Sequence, residues 1–211
     1  MQRSQQGPTF DTSGEPTGTL QQAKDIAEGC TRCDLYRDAT HLVFGEGPER
    51  ADVVLVGEQP GDKEDIVAHP FVGPAGQLLD RSLEEAGIDR RRCYVTNALK
   101  HFKFTPRGKR RIHAKPNVGE TRACAWWLAT ELRLIQPRLV VALGATALYS
   151  LLGKEVKVTR DRGRILRAPA GLPILVTIHP SALLRTWDRP DAAQERGRFV
   201  DDLRKVSTYL R

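Results

Sequence analysis

The 211-residue chain has no apolar run approaching the roughly 20 residues that a bilayer-spanning helix needs, so a helical membrane protein is excluded. Its start, Met1-Gln2-Arg3-Ser4-Gln5-Gln6-Gly7-Pro8, has no apolar signal core, and a cytoplasmic location is expected. Cysteine is scarce. Four residues in a cytosolic chain of this size argue against a disulfide framework. No internal repeat is evident, which excludes a solenoid. Residues 1–18, rich in Gln, Gly, Pro, Ser and Thr, read as a flexible tail, and 19–211 as a single domain.

A net charge of +7 points to a polyanionic partner, nucleic acid first. Charge alone does not separate such a protein from a merely basic one, but its distribution helps. Lys100, Lys103, Arg107, Lys109, Arg110, Arg111 and Lys115 are interleaved with Phe102 and Phe104, a composition suited to phosphates and stacked bases.

Four apolar runs end in short polar signatures. Val53 to Val56 stops at Gly57-Glu58-Gln59-Pro60-Gly61; Cys93 to Ala98 contains Asn97; Arg138 to Leu143 stops at Gly144; Ile174 to Ile178 stops at His179-Pro180-Ser181. Such runs suit strands buried on both faces of a parallel sheet, and ligands of open α/β sheets bind beyond the carboxyl ends of the strands. Helical patterns lie between them, over 76–86, 121–136 and 145–152, with a last helix over 191–210. The expectation is a three-layer α/β/α sandwich with a central four-stranded parallel sheet. Each polar signature has a plain alternative taken alone: Gly57 to Gly61 as an ordinary strand-to-helix turn, Pro70-Phe71-Val72-Gly73-Pro74 as a buried aromatic in a tight loop, His179 as a satisfied core residue.

Cys30 and Cys33 form a Cys-x-x-Cys in a turn-rich setting, with Cys124 far along the chain. The pair precedes the first strand, which argues against thioredoxin-like exchange and leaves zinc or an iron–sulfur cluster. Cys93 and His101 are both open as a fourth ligand, because imidazole replaces thiolate on some cluster irons.

Taken in order, Gly57-Glu58-Gln59-Pro60-Gly61, Pro70-Phe71-Val72-Gly73, Val95-Thr96-Asn97 and His179-Pro180-Ser181 resemble the motif set of the uracil-DNA glycosylase superfamily over about residues 25–205. The likeness is to its iron–sulfur branch, the family 4 type. It is closer still to the UdgX type, which resembles family 4 with an added basic loop ending in histidine, here Lys109-Arg110-Arg111-Ile112-His113.

The resemblance implies that Phe71 stacks on an extruded uracil, that Asn97 reads its polar edge, and that His179 bonds the carbonyl gaining charge as the base leaves. Gly57, Gln59 and Asp62 complete the base pocket. It further implies that His113 attacks C1′ and stays attached, with Glu58 fixing its tautomer. Lys109, Arg110, Arg111, Ser181 and Arg185 are DNA contacts, with Arg111 alternatively supporting the loop against the protein. Family 4 members carry Lys-Cys where this chain has Lys100-His101. A 4Fe-4S cluster is therefore expected on Cys30, Cys33, His101 and Cys124, with Cys93 as the alternative to His101, in a monomer acting on uracil-containing DNA. A multiple-turnover glycosylase using water and a non-catalytic, metal-stabilised binding module remain as other readings.

Overall fold

A computed structural model describes residues 18–153, 156–168 and 171–210. The tail read over 1–18 lies outside the described residues except for Gly18. The strands are Val53–Gly57 (β1), Cys93–Asn97 (β2), Phe104–Arg107 (β3), Arg110–His113 (β4), Leu139–Leu143 (β5), Ile165–Arg167 (β6) and Pro173–Thr177 (β7). The α-helices are Leu20–Ala27 (α1), Asp62–Val67 (α2), Pro74–Glu85 (α3), Val118–Ile135 (α4), Ala145–Leu152 (α5), Val158–Asp161 (α6), Pro180–Leu184 (α7) and Ala192–Arg204 (α8). Among the described residues no helix is long and apolar enough to cross a membrane.

The four apolar runs become the parallel strands β2, β1, β5 and β7, side by side in that order. Every residue of β1, β2 and β5 is buried, as strands covered on both faces must be. Side chains alternate between two cores. Val54, Val56, Tyr94, Val140, Ala142 and Ile174 face a layer containing Ala23 of α1, Leu128 of α4 and Leu148 of α5. Val53, Leu55, Val95, Val141 and Leu175 face Leu79 and Leu83 of α3 and Phe199 and Leu203 of α8. Three layers result.

The sheet itself corrects the expectation of four parallel strands. It has five, because β6 pairs antiparallel with β7 at the edge through Ile165↔Leu175 and Arg167↔Pro173. At three residues, with Arg164 before it, Arg167 at its end and only Leu166 half-buried, β6 lacks the apolar run that marks the others. Short, charged strands are how sheets blunt an edge.

The basic segment is also more ordered than a loop: β3 and β4 form a separate antiparallel hairpin with Phe104 opposite His113 and Arg107 opposite Arg110. Gly108 opens its two-residue turn with φ +59, the left-handed conformation that such a turn requires of its first residue.

Between the first core and the end of β2 lies a buried polar cluster. Glu131 of α4 accepts hydrogen bonds from the Gly45 amide at 3.0 Å and the Tyr94 hydroxyl at 3.0 Å, and pairs with Lys100 Nζ at 2.5 Å. Lys100 Nζ also donates to the Asn97 carbonyl at 2.9 Å, which fixes the strand end carrying Asn97. Each charge has its partner, as full burial demands.

Candidate active site

The carboxyl ends of the parallel strands open into one cleft of about 860 Å³. The chain steps outward from β1 to β2, then returns across β1 to β5 and β7, so the loops after β1 and β5 part and leave a crevice. Glu58 follows β1, Asn97 ends β2, Thr146 lies in the first turn of α5 after β5, and His179 follows β7; all four line the cleft with Phe71 and His113.

Phe71 and Asn97, which line the cleft, both approach Gly57 closely. A methyl group on Gly57 would fall 2.3 Å from Asn97 Oδ1 and 2.6 Å from Phe71 Cζ, so only glycine leaves this space open. The Phe71 backbone has φ +59, which for a bulky residue costs about 1–3 kcal/mol. Gly76 permits it, since a side chain there would meet the Phe71 carbonyl oxygen at 1.7 Å. Strain held this way at a cleft is a sign of a positioned aromatic face. The His179 ring lies partly stacked on Phe71, with centroids 6.2 Å apart.

His179 caps α7 and its Nδ1 accepts the Ser181 amide at 3.2 Å, with Ser181 Oγ 2.8 Å away. An accepting Nδ1 places the proton of the neutral ring on Nε2. Burial pulls its pKa down to about 4, opposed by the Glu58 carboxylate and assisted by Arg185 and His113. Near neutral pH His179 is therefore an uncharged donor.

Glu58 is the electrostatic centre of the cleft. Its Oε1 lies 3.1 Å from His113 Nε2, and Thr146 Oγ1 donates to its Oε2 at 2.5 Å. Burial pushes the carboxyl pKa up, but the hydrogen bonds from His113 and Thr146, with the charges of His113 and His179, outweigh it and hold the pKa below the usual carboxylate value. An ionised Glu58 facing Nε2 keeps the proton of a neutral His113 on that nitrogen and leaves the lone pair on the other.

His113 reaches Glu58 because the hairpin is pinned from both sides. Gln59 Nε2 donates to the carbonyls of Lys103 and Ala114, each at 3.1 Å, while its Oε1 accepts the Lys103 amide at 3.1 Å. Arg111 Nε bonds Asp62 at 2.6 Å, its Nη1 bonds the buried Asp65 at 2.5 Å, and its guanidinium lies over the rings of Phe102 and Phe104. Gln59 and Asp62, expected at the base pocket, line the cleft and also brace the hairpin, and Arg111 takes the second of its two expected roles, supporting the hairpin against α2. Lys109 and Arg110 stand exposed at the hairpin tip. Ser181 orients His179, and Arg185 donates to Ser181 Oγ at 3.2 Å.

Thr146 and Asp65 were not legible as site residues. A threonine in a helix's first turn and an acid in an acidic turn carry no distinguishing spacing.

The cysteines divide between the two cores. Cys30, Cys33 and Cys124 belong to the layer containing α1 and α4, whereas Cys93 is fully buried on the opposite side of the sheet among Val53, Leu79 and Leu83. Cys93 therefore shares no site with the other three, which removes it as the alternative ligand. Burial pushes the Cys124 thiol up to about 12, moderated by Lys100, whose amide lies 3.2 Å from Cys124 Sγ. Trp127 Nε1 donates to Cys30 Sγ at 3.1 Å. His101, next to Lys100, is buried, which pulls its pKa down and favours the neutral ring. Among the described residues no three His, Cys, Asp or Glu side chains already stand together as a ligand set.

Comparison with known proteins adds independent support. The chain is 38% identical over 184 residues to a type-4 uracil-DNA glycosylase of Thermotoga maritima, covering 86% of this chain and 90% of that protein. It is 35% identical over 193 residues to one of Pyrobaculum aerophilum, covering 87% and 91%, and 33% identical over 184 residues to one of Archaeoglobus fulgidus, covering 84% and 86%. A family model matches residues 44–204, which include Glu58, Phe71, Asn97, His113 and His179. The chain belongs to the Uracil DNA glycosylase superfamily.

Proposed function

We propose that this protein excises uracil from DNA, single strands preferred, and becomes covalently joined to the resulting abasic sugar through His113. The observation carrying the second half is the His113 Nε2 to Glu58 Oε1 contact of 3.1 Å at the lip of the cleft.

In this reading the extruded uracil enters over Gly57 and lies against Phe71, with Asn97 at its polar edge. Cytosine presents an amino group where uracil presents a carbonyl, and a fixed carboxamide rejects it by leaving a buried donor unpaired. As the bond from C1′ to the base breaks, its electron pair passes into the uracil ring and positive charge spreads over the sugar. His179 Nε2–H stabilises the carbonyl oxygen that gains this charge. The ring nitrogen of His113 that carries the lone pair then bonds C1′. Ionised Glu58, held by Thr146, balances the imidazolium that forms. A nitrogen–carbon bond to an alkylated imidazolium offers no acyl-like route to hydrolysis, so the product stays. Lys109 and Arg110 grip phosphates.

Cys30, Cys33, His101 and Cys124 fit a 4Fe-4S cluster in ligand chemistry. The Lys100 amide and the Trp127 indole already donate to two of the sulfurs, the kind of hydrogen bonding that cluster thiolates receive. When bound, the cluster would tie α1, the segment after β2 and α4 together as a structural cross-link.

Two tests follow. Uracil release from an excess of uracil-containing single strand should stop at one equivalent per chain; continued release would favour water as the nucleophile, as in an ordinary glycosylase. Gly57→Ala, whose methyl group meets Asn97 and Phe71, should slow uracil release on the order of 100-fold while leaving affinity for uracil-free strands unchanged, since a misplacement of about 1 Å at a reacting centre has that cost. Release at the wild-type rate would place the base elsewhere.

A further inference from the structure

The three acids in the first turn of α2 do not face the same way. Asp62 and Asp65 hold Arg111 and the hairpin, whereas the buried Glu64 turns towards the other loop of the cleft. Its Oε1 accepts the Gly73 amide at 2.8 Å, two residues beyond Phe71. The carboxylate occupies space that two glycines leave free: a side chain on Gly61 would meet Oε2 at 2.6 Å, and one on Gly73 would meet Oε1 at 3.0 Å. Val72, between Phe71 and Gly73, is 39% exposed, so packing of its own side chain does not anchor the loop.

We infer that Glu64 is a positioning residue for Phe71, holding its ring in the orientation that receives the base. This rests on the glycosylase reading above and adds a residue to it. Phe71 sits in a left-handed conformation that a free loop would abandon. Gly76 makes that conformation sterically possible from the helix side. Glu64 makes it persist, by a charge-assisted bond to the amide on the far side of the aromatic. Because the same short helix latches the hairpin through Asp62 and Asp65, α2 sets the two halves of the site, base platform and nucleophile, at a fixed separation.

The test compares Glu64→Ala and Glu64→Gln with the wild-type protein on a uracil-containing single strand, and measures affinity for free uracil and for a uracil-free strand. Glu64→Ala should slow uracil release on the order of 100-fold, by the same misplacement argument, and weaken free-uracil binding. Covalent capture should slow by the same factor, because the platform acts before the nucleophile. Affinity for the uracil-free strand and the melting temperature of the remaining fold serve as controls and should change little. Glu64→Gln keeps an acceptor oxygen of the same reach and should lie nearer the wild type than Glu64→Ala does. If Glu64→Ala does not fold, Glu64→Asp carries the same expectation, since the shortened carboxylate falls short of Gly73. Wild-type rates and uracil affinity in the alanine variant, or equal losses in alanine and glutamine variants, would overturn the inference while leaving the glycosylase reading intact. Absence of uracil release from the wild type would remove that reading, and this inference with it.

Discussion

Replacing His113 with serine should abolish the covalent product altogether while uracil release continues. In the proposed mechanism departure of the base rests on Phe71, Asn97 and His179, none of which belongs to the hairpin, and the ring of His113 enters only as C1′ becomes electrophilic. Serine removes the nucleophilic nitrogen but leaves Glu58 hydrogen-bonded to Thr146, with room for water beside it. The variant should therefore release more than one equivalent of uracil per chain and leave free abasic DNA. Denaturing electrophoresis together with quantified free uracil checks both halves. A shifted band that survives in His113→Ser would identify another nucleophile.

The second large effect is expected at His179. His179→Ala should lower uracil release by about 10²–10³-fold, the usual loss when one preorganised donor to a developing oxyanion is removed. Adduct formation should fall in step, and binding to uracil-free DNA should not change. The charge state of the ring sets the pH dependence. His179 has a pKa lowered to about 4 by burial, so it is neutral above that value and gains a proton only as pH falls through it. Glu58, lowered from the usual value, remains ionised above its own depressed pKa and loses its charge as pH falls through it. Single-turnover uracil release by the wild-type protein, in which His113 still faces Glu58, should accordingly stay level from about pH 8 downward and fall only in the acid range. Loss of release near pH 6.5 would show that His179 titrates as an ordinary, solvated histidine.

The fold was legible wherever burial on both faces imposed a continuous apolar run. Val53 to Val56 and Leu139 to Leu143 could scarcely be anything but central parallel strands, and their polar ends located the cleft. Where pairing depends on tertiary context the chain was silent. Ile165 to Arg167 carries no strand signal because two apolar residues between arginines become a strand only when β7 supplies a partner. Phe104 to Arg107 contains Pro106 and two polar neighbours, and its hairpin depends on the left-handed Gly108.

The site divides in the same way. The resemblance named Glu58, Phe71, Asn97 and His179, and strand ends and a stiff loop bring all four to the lining of one cleft. Their supports are less legible because they act at long range: Gln59 reaches Lys103 and Ala114, and Arg111 reaches Asp62 and Asp65. The alternation of β2 put Cys93 and Val95 on one face and Tyr94 and Thr96 on the other. Only the placement of α1 and α4 shows that Cys30, Cys33 and Cys124 lie with the second pair.

The central claim, excision followed by capture on His113, is tested most directly by mixing the wild-type protein with a uracil-containing single strand and measuring the intact mass of the denatured product. The expected species is protein plus the full strand minus uracil, with the added mass mapped to the peptide bearing His113. Unmodified protein beside free abasic DNA, or beside DNA still containing uracil, would contradict it.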